Sequence, residues 1–187
     1  MKNIKFNYDK YIKNNYVLRN KAVIKVLIND KEEFFNIRDP RQLTINKDLI
    51  EYITEEAENI PNKYKINIEF YSDDLSDEEK KKIIEMIKSY YGLKIYSCKS
   101  SIKQGVLKAI MFSIFGAFFI ACSHLNSSLF NFVYNEVIYV IGWVLLWEAT
   151  DTFLFSNSKD KVRKKNYKQL YNADVLFSDK CEWKISL

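Results

Sequence analysis

From Gly105 to Leu125 the chain runs for 21 residues with a single charge, Lys108. A second apolar run, Val137–Trp147, follows, and no further Lys or Arg occurs until position 159. At about 1.5 Å of rise per residue the first run reaches roughly 31 Å as a helix, the depth of a bilayer's hydrocarbon core. Its centre, Ala109 to Cys122, is apolar on every face, whereas a helix of a soluble core usually keeps a polar side. Lys108 lies near the end of the run, where its stem can carry the ammonium to the headgroups. Leu129–Tyr134 and Phe153–Phe155 extend the second run on both sides. Tyr134, Tyr139, Trp143 and Trp147 suit the aromatic anchors of a span, and Asn126-Ser127-Ser128 between the runs is turn chemistry. The expectation is a transmembrane hairpin over 103–156, with antiparallel helices near 105–125 and 134–155.

The flanking charges predict its orientation. Lys99, Lys103 and Lys108 precede or open the first span; Lys159, Lys161, Arg163, Lys164, Lys165 and Lys168 follow the second. The connection 123–136 has no Lys or Arg. By the positive-inside rule both termini lie in the cytoplasm of a cell bounded by this membrane, taken as a bacterial inner membrane. Residues 1–15 lack the apolar stretch of a cleavable signal, so the preceding domain is expected in the cytosol with its thiols reduced.

The rest of the 187-residue chain narrows the chemistry. Cys98, Cys122 and Cys181 are too few and too scattered for a disulfide framework or a zinc site, and His124 is the only histidine. Net charge is +5; of 29 basic residues 25 are Lys and only 4 Arg. Bidentate guanine reading favours Arg, so sequence-specific DNA recognition is not expected. No phosphate-binding G-x-x-x-x-G-K, G-x-G-x-x-G or G-x-S-x-G occurs. The acidic run Asp73–Glu79 lacks the glycine and ligand spacing of a calcium loop and suits a solvated helix N-terminus. No enzyme, metal or cofactor is expected.

Residues 1–102 read as a cytosolic α+β domain. Ala22–Ile28 is apolar and strand-like, with a second strand expected at Glu33–Ile37, broken by Asp39-Pro40. Leu49, Ile50, Ile53, Ala57 and Ile60 recur at helical spacing, with Asn46 as N-cap and Pro61-Asn62 as the stop. Tyr64–Tyr71 alternates strictly. Ser76 and Glu79 form a capping box that opens a helix with Ile83, Ile84, Ile87 and Tyr91 inward. Gly92 reads as its C′ residue, and Leu93–Cys98 as a fourth strand. The expected order is ββαβαβ, a small sheet with two helices. Residues 157–187 form a basic tail, helical over Lys159–Tyr171. Short strands are expected at Ala173–Phe177 and Cys181–Ile185, and a returning strand could add to the cytosolic sheet.

Three features carry functional expectations. Gly105, Ala109, Ser113, Ala117 and Ala121 are small and four residues apart, a stripe that lets helix backbones approach within the hairpin or between subunits. Glu148 and Asp151 lie one turn apart beside Trp147. A span of Leu129–Trp147 leaves both acids at the inner interface. A span nearer Tyr134–Phe155, which Phe153-Leu154-Phe155 favours, puts them in hydrocarbon. There they would need a partner such as Lys108 or a water-filled path. Lys159–Lys168 holds six basic residues in ten, suited to fixing topology and to lying along an anionic leaflet.

The segment Gly142-Trp143-Val144-Leu145-Leu146-Trp147-Glu148 looks like the second span of bacterial two-helix membrane proteins. A cytosolic α+β module joined to a two-helix hairpin resembles small bacterial membrane effectors of anti-phage defence, such as the Hailong-type channel effector. That resemblance implies a homo-oligomer whose cytosolic domain senses a nucleotide or protein ligand and whose hairpin forms an ion-conducting pore. The alternative is a non-conducting anchor that displays the α+β domain to a partner.

Overall fold

The computed structural model describes residues 12, 16–18, 21–73, 75–125 and 132–180. It contains a four-stranded sheet in the order β1 (Val17–Leu18), β2 (Lys21–Leu27), β3 (Lys65–Tyr71) and β4 (Asp174–Ser178). β1 pairs antiparallel with β2, whereas β2, β3 and β4 are parallel. Among the described residues four longer α-helices accompany the sheet: α1 (Lys47–Glu58), α2 (Asp77–Leu125), α3 (Phe132–Asp151) and α4 (Asn157–Tyr171). The mixed α+β class holds, but β1 was not expected and the order of elements departs from ββαβαβ at two further places.

The first is Glu33–Ile37. Lys31–Phe34 forms a 3-10 turn capped by the Asp30 carboxylate, which accepts from Glu32 N at 3.1 Å. Phe34 and Phe35 are both buried while Ile37 is 96% exposed. Consecutive buried residues contradict the two-residue period of a strand, and Phe34 is held by an edge-on contact with Phe70, ring centroids 5.2 Å apart. The second is Leu93–Cys98, which is helical, because α2 does not stop at Gly92. Gly92 has no positive φ, so it makes no αL cap, and the helix runs on to Leu125, 49 residues in all from Asp77. The fourth strand is instead β4, aligned with β3 so that Ile68 sits opposite Val175. The expected strand at Cys181–Ile185 lies outside the described residues.

The chain divides into two compact units, Met1–Ile95 with Lys165–Leu187, and Tyr96–Lys164. In the first, alternate residues of β2 (Ala22, Ile24, Val26) and β3 (Ile66, Ile68, Phe70) turn into one core. That core takes Ile50, Ile53 and Ala57 from α1, Ile83, Ile87 and Tyr91 from α2, and Leu170 from α4. The expected caps form here. Asn46 accepts from Asp48 N at 3.0 Å, and Glu79 accepts from Ser76 N at 2.9 Å while Ser76 Oγ accepts from Glu79 N at 3.3 Å. These backbone and hydroxyl donors hold the Glu79 carboxyl below the ordinary carboxylate range. Burial pushes the Tyr91 phenol well above its usual value, and its hydroxyl meets Thr54 Oγ1 at 3.1 Å.

In the second unit α2 and α3 pack antiparallel. Lys108 lies opposite Glu148, and Gly116 lies opposite Gly142. Beyond Asp151 the helix widens into one π-helical turn, Thr152–Ser156, before α4 begins. A widened turn of this kind re-aims the side chains on either side of it.

Candidate functional site

Among the described residues two helices are long and apolar enough to cross a membrane, Asp77–His124 and the stretch Tyr134–Tyr171. Only 11% and 17% of their most apolar segments are buried, so those segments, unlike the Ile83–Tyr91 end of α2, lie outside the core. Leu107, Ile110, Ile114, Phe118, Val140, Val144 and Trp147 are all more than half exposed. An apolar surface of that extent is costly in water and suited to lipid or protein cover. The chain is thus compatible with a membrane location.

The seam between these helices is built from small residues. A Cβ placed on Gly116 would sit 2.9 Å from the Gly142 carbonyl oxygen, and one on Gly142 would sit 2.8 Å from that of Gly116. The two glycines therefore let backbone meet backbone, as small residues do where helices cross closely. Neither belongs to the five-residue stripe. The structure divides that stripe: Ala109 is buried, and Gly105 faces Asn157 so closely that a Cβ there would collide with its Oδ1. Ser113, Ala117 and Ala121 remain exposed. The helical path explains the split. Residues four apart drift around a 3.6-residue helix, so an antiparallel seam that includes Ala109 passes next through Gly116 rather than Ala117. Gly116 within the apolar centre Ala109–Cys122 and Gly142 within Val137–Trp147 were the sequence signal for this crossing.

The two acids separate as well. Glu148 accepts from Lys108 Nζ at 3.2 Å, and the same ammonium stands 5.1 Å from the Phe112 ring centroid. Lys108 thus has a carboxylate and a π face as partners. Asp151 is exposed at the end of α3 and makes no side-chain cap to the π turn. Elsewhere in the same unit Thr152 and Asn157 are buried polar residues, and on the surface Ser101 Oγ donates to Asp160 Oδ2 at 2.6 Å. Trp143 and Trp147 stack with centroids 6.0 Å apart on the exposed face of α3.

Of the basic cluster, Lys159, Lys161, Arg163, Lys165 and Lys168 are exposed and Lys164 is half-buried, all on α4. No group of three or more His, Cys, Asp or Glu among the described residues could hold a metal ion. No known protein family, curated protein or solved structure matches the chain.

Proposed function

We propose that this chain is an integral membrane protein in which α2 and α3 form a transmembrane hairpin that holds the α+β unit at the cytoplasmic face. One observation carries this reading. β4 follows the hairpin in sequence yet pairs with β3, which precedes it, along Asn67–Tyr71 and Asp174–Ser178. Two strands of one sheet share one side of a bilayer, so whatever lies between them crosses an even number of times. The two apolar helices supply those two crossings. The Lys-rich flanks, with none in 123–136, make the shared side cytoplasmic by the positive-inside rule.

The ion pair fits the same picture. Lys108 lies 17 residues before Leu125, about 26 Å along a helix, close to the inner limit of the hydrocarbon. An unpaired ammonium or carboxylate at helix centre costs about 2.5–3.5 kcal/mol. The Lys108–Glu148 contact supports a hairpin inserted as a neutral unit. That favours the anchoring reading over a lining role for Glu148.

The pore reading keeps one specific support. Ser113, Ala117 and Ala121 are left open for a second copy, and Asp151 is left without an ion pair among the described residues. A homo-oligomer assembled on that face would be a defence-type conducting effector, with Asp151 at its inner mouth. Reconstitution separates the two readings. Ion flux from liposomes that falls at least tenfold in Asp151→Asn, with Glu148→Gln showing the same insertion, supports the pore. Absence of flux from a correctly inserted protein supports the anchor. Extraction of the protein from membranes at alkaline pH would defeat both.

A further inference from the structure

We propose that the hollow between the start of β3 and α4 is a binding site for a phosphate-bearing small molecule. It is an open hollow of about 430 Å³ within the α+β unit, inside the size range of small-ligand pockets. Three lysines converge on it: Lys65 from the first residue of β3, and Lys165 and Lys168 one turn apart on α4. None of the three makes an ion pair among the described residues. The one carboxylate in the wall, Asp174, is already engaged by Lys21 at 3.1 Å. The lining therefore holds three lysines against one carboxylate that is itself shared with Lys21, a net charge of about +2.

Like charges three residues apart on a helix destabilise it, and Lys65 adds a third from the facing strand. An anion held among them removes that repulsion. Phosphate suits compact ammonium groups as point-charge partners. The floor is held in shape independently of the lysines. Gln169 Nε2 donates to Pro61 O at 3.3 Å and Tyr64 O at 2.9 Å, tying α4 to the turn that enters β3. Asn172 adds an amide to the wall, and the Tyr64 ring an apolar surface. The sequence offered no Gly-rich signature here because the cations come from segments 100 residues apart, joined only when β4 carries α4 back to the sheet. The site is independent of whether the hairpin crosses a membrane.

The ligand chemistry has two sources, a soluble nucleotide or a lipid headgroup. The test titrates the full-length protein, in uncharged detergent micelles, with inorganic phosphate, AMP, ATP and glycerol 3-phosphate by calorimetry. The result expected is saturable binding that weakens at least tenfold in Lys165→Ala/Lys168→Ala and in Lys65→Ala, while Lys81→Ala/Lys88→Ala on α2 is unchanged. All substituted side chains are solvent-facing, so folding is retained. Tighter binding of AMP or ATP than of glycerol 3-phosphate assigns a nucleotide; equal binding assigns the phosphate group alone, as on a headgroup. No binding of any probe, or equal weakening by the α2 control, overturns the site.

Discussion

Alanine at both Gly116 and Gly142 probes the seam on which the hairpin depends. Each new Cβ would start 2.8–2.9 Å from a carbonyl oxygen of the facing helix, and the one on Gly142 also 2.7 Å from Ile120 Cγ1. Ordinary contact begins near 3.4 Å, so the helices must separate by about 0.5–0.6 Å at the crossing. A gap of that size forfeits about a quarter or more of the dispersion well for each contact it opens. Overpacking of this kind costs roughly 1–3 kcal/mol per site, while Ala gains about 1 kcal/mol over Gly in helix propensity. The double variant is thus expected to lose about 2 kcal/mol net. Gly92→Ala is the internal control. Its Cβ would meet only the Tyr171 ring, at 3.6 Å, so propensity alone acts and the variant gains up to ~1 kcal/mol. SDS titration in mixed micelles, followed by circular dichroism and by the fluorescence of Trp143 and Trp147, reads both. A double variant as stable as the parent would refute the close crossing.

Three further predictions concern charge and protonation. Lys108→Ala and Glu148→Gln each leave one unpaired group and should each cost about 1–3 kcal/mol in the same titration; the double variant should cost less than the sum, and strict additivity would mean the two groups do not interact. The Glu79 carboxyl is held below its ordinary value, so its stabilising effect is complete above the unfolded value near 4.3 and fades as pH falls through the folded one; Glu79→Gln should flatten the acid limb of thermal stability, and an unchanged limb would count against the capping box. Tyr91 is raised, so its contribution is complete below pH ~10 and falls as pH rises toward the folded value; Tyr91→Phe should flatten the alkaline limb and cost about 1 kcal/mol at neutral pH through the lost Thr54 contact.

Local signals were legible where one physical cause dominated. The alternation of Ile66, Ile68 and Phe70 gave β3 to within a residue, and Asn46, Ser76 and Glu79 marked helix starts because caps act on adjacent backbone. The run Leu93–Cys98 misled because Gly92 resembles a stop. Its helix persists because the apolar stretch beyond carries it onward, which no window around Gly92 displays. Phe34 was read as strand because its burial depends on Phe70 and its neighbour Phe177, which belong to strands that pair only in the fold. The small-residue stripe was visible as a spacing, but which half meets α3 depends on the crossing at Gly116 and Gly142. The lysine hollow is wholly tertiary, since Lys65 and Lys165 become neighbours only through the β3–β4 register.

On the proposed topology the segment between β3 and β4 leaves the cytoplasm and returns. Membrane-impermeant maleimide labelling of single cysteines, in a background lacking Cys98, Cys122 and Cys181, measures it directly. In intact spheroplasts Ser127→Cys should label and Ser158→Cys should not, with both labelling after permeabilisation. Protection of position 127, or labelling of position 158 from outside, would contradict the two-crossing hairpin.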